Sequence, residues 1–387
     1  MKFLFLNGDY ADFLEWLYAV NQGLEARSYD EQLRVRNDSL FGVADFYSSN
    51  LQDIGEEAYE LHINNEYLQR AWANQHGIEV PNRSGIQSVR KLSSIPVFKS
   101  ILSPVRRLLA WERSPWFYKI LASQIRHHRP DVLINQNLFG LSAQFLHEVK
   151  PYVRLMVGQH AATPFTRTDV LHCYDLMISS FPPTVECFRK QGVNAELNRM
   201  GFEPRVLSCL RQVAPLRDVS FVGSFQPVHR SRLVFLEQLC ARLNASTTFE
   251  IWAPTIEEIP KGSPLRRCYR GSIWGREMYH ALSTSRMTLN HHGDVLPYAN
   301  NMRLFEATGV GTLLMTDWKE NLVDMFDAGK EVIAYRTPDE CAELIKYYLA
   351  HEDERTKIAH AGQIRTLREH TYRQRMQEFI EIVGQYL

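Results

Sequence analysis

Residues 298–317 run Tyr-Ala-Asn-Asn-Met-Arg-Leu-Phe-Glu-Ala-Thr-Gly-Val-Gly-Thr-Leu-Leu-Met-Thr-Asp, and their reading decides the fold. The order predicts a helix followed at once by a buried strand. Asn300 or Asn301 is placed to cap the helix, since a side-chain oxygen there accepts an orphan backbone N–H. Gly309 and Gly311 are expected to end it through the positive φ that other residues resist. Residues 312–316 are apolar enough for a central parallel strand. Arg303 and Glu306, three apart, project from one helix face. A helix start carries free N–H groups and partial positive charge, which suits an anion, and Arg303 adds to it. A carboxylate one turn in, at Glu306, suits a sugar hydroxyl. Phosphate and ribose together imply a nucleotide.

Outward from this stretch the chain alternates strand and helix in two rounds. The first has strands at 2–6, 58–63, 131–135, 154–158, 175–179 and 195–198. Its helices are expected at 11–24, 41–54, 141–149 and 183–191. The second has strands at 219–222, 249–252, 287–290 and 331–335, and helices at 232–243, 276–283, 338–351 and from 354 onward. Such alternation implies parallel sheets covered on both faces. The expected architecture is α/β: two tandem Rossmann-like domains, 1–215 and 216–365, with a helix over 366–387 crossing back onto the first.

Length and composition agree with this: 387 residues with 45% hydrophobic content can bury two cores. Lys and Arg balance Asp and Glu at 44 each, so no overall field draws the chain to nucleic acid. The six cysteines never approach Cys-x-x-Cys spacing, which argues against a zinc site or disulfide framework and points to a reducing, cytoplasmic setting. The apolar start is too short for a signal peptide, and no apolar run reaches membrane-spanning length. Between 88 and 129, nine Lys or Arg face a single acid, Glu112, among aromatic and aliphatic residues. That pattern is either an amphipathic helical pair with a basic outer face or a peripheral contact for an anionic membrane or lipid-linked acceptor.

Ligands of open α/β sheets bind beyond the carboxyl ends of the strands. This rule selects Gly8 and Asp9, His160, Gly223 and Ser224, and the segment from His292 to Asn301. Arg230 and Arg232 open the helix after Gly223-Ser224, where a phosphate would lie. Each residue also has a plain structural reading: a tight turn at Gly8, a hydrogen-bonded core histidine at 160, solvated arginines. As a surface ion pair, Arg303 and Glu306 would add only about 0.3–0.5 kcal/mol. No Asp-x-Asp, no Gly-x-x-x-x-Gly-Lys-[Ser/Thr], no Gly-x-Gly-x-x-Gly and no Gly-x-Ser-x-Gly occurs. The adjacent pairs His127-His128 and His291-His292 lack ligand spacing, so metal catalysis is not expected.

The tandem domains and crossing helix resemble the GT-B glycosyltransferases. Residues 298–311, Phe221-Val-Gly-Ser224, Trp274-Gly-Arg-Glu-Met-Tyr279 and Glu369-His-Thr-Tyr372 resemble the CgeB-type, spore-maturation-protein-like branch, chiefly over 218–375. The resemblance implies transfer of a sugar from a nucleotide-diphosphate-sugar donor to a glycan, lipid-linked or protein acceptor, without a metal or other cofactor. It would place Glu306 on the ribose, and Arg303, Gly223 and either Arg230 or Arg232 on the diphosphate. Backbone around Arg270 and Gly271 would meet the base, and His160 would lie near the donor sugar. With Asp9, His160 forms the expected catalytic pair; Gly8, Ser224, Asn300 and Asn301 complete the donor set. Retaining relatives commonly carry a second Glu where this chain has Tyr298, and Asp294 is off register, so stereochemistry stays open. Two other activities share such a cleft: nucleotide-sugar epimerisation, and nucleotide or glycan binding without turnover.

Overall fold

The computed structural model describes residues 1–80, 115–161, 165, 167–211, 213–226, 229–293 and 297–387. Most of the basic segment expected at 88–129, and Asp294, lie outside the described residues. From 115 the chain forms a helix, Pro115–His128, whose Phe117, Ile120, Leu121 and Ile125 are buried in the first domain.

The first sheet contains β1 (Lys2–Asn7), β2 (Glu57–His62), β3 (Val132–Asn135), β4 (Leu155–Gln159), β5 (Leu176–Ser179) and β6 (Ala195–Leu197). They lie in the order β2-β1-β3-β4-β5-β6, every pairing parallel. The second contains β7 (Arg217–Val222), β8 (Phe249–Trp252), β9 (Ser285–Asn290), β10 (Leu313–Asp317) and β11 (Ile333–Tyr335). Its order is β11-β10-β9-β7-β8, again parallel. Helices cover both faces, which is why central strands such as β3 and β10 are buried along their whole length. In each sheet the strand order reverses beside the first strand, between β1 and β3 and between β7 and β9. These two switch points open crevices at the carboxyl ends, where the chain's ligands are expected.

The predicted helix at 11–24 is shorter, Ala11–Val20, and a second helix, Tyr29–Asp38, follows it. Ser28 caps that helix reciprocally with Glu31. Phe13, Leu17 and Leu24 from this insertion pack with Trp274 of the second domain. Phe41 meets Phe13 at 4.4 Å between ring centroids and Trp274 edge-on at 4.8 Å. Beneath them the Arg276 N–H donates to the Ser39 carbonyl at 2.9 Å, and Arg276 Nε donates to the carbonyl of Asp38. Gly275 holds φ +54°, and a Cβ there would run into the Ser39 carbonyl. The insertion is thus an aromatic clasp between the domains.

The C-terminal helix is two helices, Glu352–Glu369 and Tyr372–Gly384. The first packs on β10 and its neighbouring helix; the second lies against Phe46–Asp53 of the first domain. Phe379 sits 6.0 Å from Phe3 and 6.3 Å from Phe5, centroid to centroid, while Tyr372 packs on Phe46 and Tyr47. The two helices meet at His370-Thr371. Phe202 fixes their junction, donating its N–H to the His370 carbonyl and accepting from Tyr372.

Candidate functional site

The helix in the opening stretch is Arg303–Gly309, seven residues, with Gly309 its last residue but without the positive φ expected there. Gly309 is needed for a different reason: a Cβ would run into the Phe202 ring. Gly311, at φ +82°, makes the turn into β10. So short a helix offers little dipole, and the site's chemistry rests on side chains. Asn301 Oδ1 accepts from the Leu304 N–H at 3.4 Å, and its Nδ2 donates to Asn290 Oδ1 at 2.7 Å, tying the helix to β9.

Arg303 Nη1 and Glu306 Oε2 are 2.8 Å apart, with side chains only 13% and 6% exposed. This is a buried pair, so the surface figure of a few tenths of a kcal/mol does not apply. Tyr279 from the helix Gly275–Ser283 donates its hydroxyl to Glu306 Oε1 at 3.5 Å, and the Met278 sulfur touches the guanidinium. Burial first, and then the Glu306 charge, push the Tyr279 hydroxyl well above its ordinary pKa. Arg303 Nε and Asn300 Nδ2 are buried and have no partner among the described residues. An unmatched buried donor costs about 1–3 kcal/mol, so both are free to recover that by meeting an acceptor.

In the first domain, Tyr10 immediately follows Asn7-Gly8-Asp9. It is 71% exposed, with its ring 5.9 Å from Phe41 of the clasp. Crowding by the cleft wall raises its hydroxyl pKa, and the Glu306 carboxylate raises it further. Farther along the same cleft, Tyr298 packs edge-on against Phe181, centroids 5.8 Å apart. Its side chain joins the two domains at that point.

At the second switch point Arg232 is buried rather than solvated. Its Nη1 donates to the Ser224 carbonyl at 2.8 Å, and its Nε and Nη2 donate to the His291 carbonyl at 2.9 and 2.7 Å. It thereby spans the ends of β7 and β9 and lies over Gly223, where a Cβ would come 3.3 Å from Nη1. Arg230 is exposed and, with Phe235, His291 and Pro338, lines a shallow depression. Arg270 points its side chain at Glu250, 3.0 Å away, while its N–H pairs with the Ile251 carbonyl. Gly271 turns at φ +102° and accepts from the Ala253 N–H.

At the first switch point Gly8 lies beside Asn137, whose Nδ2 would be 3.5 Å from a Cβ at residue 8. Asp9 is buried and committed: Arg36 Nε donates to Oδ1 at 3.2 Å, a second Arg36 nitrogen also binds Oδ1, and His62 Nδ1 stands 3.2 Å from Oδ2. Burial alone would raise the Asp9 pKa, but Arg36 and His62 outweigh it and hold the carboxyl well below its ordinary range. So depressed a group is a poor proton acceptor, and its geometry is that of a brace for the loop. His160 is buried at the end of β4 among Phe139, Phe165 and Phe188, with centroids at 5.7, 5.2 and 6.3 Å.

Two features were missed from the sequence. Tyr10 directly follows a strand end that was singled out, and Tyr279 lies in a motif that had been given no role. The same strand-end rule also marks Asp317, last in β10. Its Oδ1 meets His292 Nδ1 at 2.6 Å, and Lys319 is 3.1 Å from Oδ2. Despite burial, His292 and then Lys319 hold the Asp317 pKa well below its ordinary range.

Comparison with known proteins accords with this arrangement. Residues 230–381 match a family model described as glycosyl transferase-like. The Anabaena protein HepE, solved in complex with UDP-glucose, superposes with a TM-score of 0.58 at 12% identity, over 100% of both chains. The fold is GT-B. A glycosyltransferase from Rickettsia africae superposes at 0.56 with 10% identity, over 100% of this chain and 98% of that one. Sucrose-phosphate synthase from Thermosynechococcus elongatus gives 0.55, 10%, 100% and 98%. No curated protein sequence matches the chain. No helix among the described residues is long and apolar enough to cross a membrane.

Proposed function

We propose that this chain is a cytoplasmic hexosyltransferase of the CgeB-type branch, taking a nucleotide-diphosphate sugar as donor and working without a metal. The observation that carries the reading is the buried Arg303–Glu306 pair, with the donors Arg303 Nε and Asn300 Nδ2, unpartnered among the described residues, beside it. Glu306 accepts from the ribose hydroxyls. Arg303 Nε and Asn300 Nδ2 donate toward the diphosphate, whose developing charge is the main electrostatic demand of the reaction. The Gly223-Ser224 turn, held open by Arg232, admits phosphate close to the backbone. HepE, solved with UDP-glucose and with UDP, supports a nucleotide-sugar donor. The lack of Asp-x-Asp supports the metal-free part. Where retaining relatives commonly place a glutamate, Tyr298 engages Phe181, so the sugar is held by other groups, and the resemblance puts His160 forward for that role.

The test is a thermal-shift screen of UDP-, GDP- and dTDP-sugars, followed by measurement of nucleotide release with and without candidate acceptors. A shift with one donor and acceptor-dependent release is expected. Conversion of the donor without acceptor would indicate an epimerase, and binding without any turnover a non-catalytic protein. The absence of a shift with every donor would refute the site.

A further inference from the structure

The crevice between β1 and β3 has a chemistry unlike its counterpart in the second domain. Side-chain amides gather at these strand ends: Asn64 near β2, Gln136 and Asn137 after β3, and Gln159 at the end of β4. Gln136 Nε2 donates to Gln159 Oε1 at 2.9 Å, and Gln159 Nε2 donates to the Tyr47 hydroxyl at 3.3 Å, which locks the two amides in register. Asn64 is anchored on the backbone of Asp9 at both ends. Asn137 is half-exposed beside Gly8 and Gly140. Next to these amides stands Phe139, 50% exposed, its ring supported by His160 and Phe165.

Among the described residues, the charged side chains Asp9 and Arg167 at this crevice are both paired. Asp9 is neutralised by Arg36. Arg167, which donates to the carbonyls of Phe139 and Leu141, is bound to Asp169 at 2.7 Å. An anionic acceptor demands an open Arg or Lys for charge-assisted bonds, and a lipid tail demands a continuous apolar groove. A sugar ring demands something else: donor–acceptor groups for its hydroxyls and a flat apolar surface for its C–H face. An amide supplies both hydrogen-bonding roles in one plane, and an exposed phenyl ring supplies the surface.

We propose that this crevice is the acceptor subsite and that it takes the ring of an uncharged sugar, with Phe139 as platform and Asn137 and Gln136 as hydroxyl partners. The assignment rests on the glycosyltransferase reading above. It narrows the acceptor from glycan, lipid-linked or protein to a neutral glycan terminus.

Saturation-transfer NMR on the full-length protein, with maltose, cellobiose and chitobiose as neutral probes and geranyl phosphate as lipid-phosphate probe, tests it. A neutral disaccharide should give transfer that falls about tenfold in apparent affinity with Phe139→Ala and persists with Phe139→Tyr. Asn137→Leu should also weaken it, while UDP titration of Phe139→Ala matches the wild type. The inference is overturned if none of the disaccharides gives transfer, if Phe139→Ala leaves transfer unchanged, or if geranyl phosphate alone binds in a Phe139-dependent way. Failure of the donor reading would show separately, as nucleotide binding indifferent to Glu306 while disaccharide transfer persists.

Discussion

Replacing Arg303 and Glu306 together separates their structural from their binding role. Removing Glu306 alone strands a buried guanidinium, and breaking a buried pair in this way costs about 3–5 kcal/mol. In a domain of this size that corresponds to a melting shift of roughly 6–20 °C. Glu306→Ala would therefore lose donor binding whatever its cause, and proves little by itself. The double substitution Arg303→Met with Glu306→Met removes both charges and keeps apolar volume beside Met278 and Tyr279. Such exchanges are often neutral in stability. If Glu306 accepts from the ribose, the double variant still forfeits a charged hydrogen bond worth about 1.5–3 kcal/mol, or roughly ten- to a hundredfold in Kd. Calorimetric titration with the nucleotide diphosphate that most stabilises the wild type measures this directly. A double variant that melts near the wild type and binds within about twofold of it would refute the donor site.

Two further expectations concern stability. Gly275→Ala forces a Cβ against the Ser39 carbonyl at a positive φ; the backbone strain alone is about 1–3 kcal/mol, so the urea midpoint should fall, and an unchanged midpoint would show that the clasp yields freely. Glu60 is buried between Asn7 Nδ2 and the Ser48 N–H, and burial raises its pKa to about 7. Between its unfolded value near 4.5 and about 7 the folded chain keeps a proton that the unfolded chain has released, so stability falls as pH rises through that window. Asn7 Oδ1 is buried and unpartnered among the described residues, so a flipped amide can accept from a glutamine. Glu60→Gln should raise the melting temperature at pH 8 and change it little at pH 5; equal shifts at both would overturn the assignment.

The strands and their order in the chain were legible because period and glycine punctuation are local, and β8 falls on the predicted residues. The second helix of the insertion after β1 was not. Its cue, Ser28-x-x-Glu31, is a capping box, but the apolar face of Tyr29–Asp38 is thin and carries a buried Arg36 and Gln32 that resemble surface residues. Gly309 shows a subtler limit. Glycine at a helix end and glycine under an aromatic ring are the same letter, and only the distant Phe202 distinguishes them. Arg303 with Glu306 was legible as a pair because the spacing is local. Its burial was not, because Tyr279 and Met278 come from another helix. The commitment of Asp9 to Arg36 and His62 was equally hidden, each partner being supplied by a different element.

The contacts between the domains bracket the cleft. On the β1 side the clasp joins Asp38 and Ser39 to Arg276, and Phe41 to Trp274. On the β5 side Phe181 meets Tyr298, and below both the chain crosses at His370-Thr371. An aromatic contact of this kind adds only about 0.5–1.5 kcal/mol beyond its burial, so burial of Phe13 and Trp274 and the Arg276 hydrogen bonds carry most of the β1-side bracket. Closure over a donor need not be a large hinge motion under these conditions. Water would then be excluded by the same aromatic residues that set the domains in register. In that arrangement the residues of 298–309 act twice. On the proposed reading Arg303 and Glu306 meet the donor, while Tyr298 packs on Phe181 of the opposite domain.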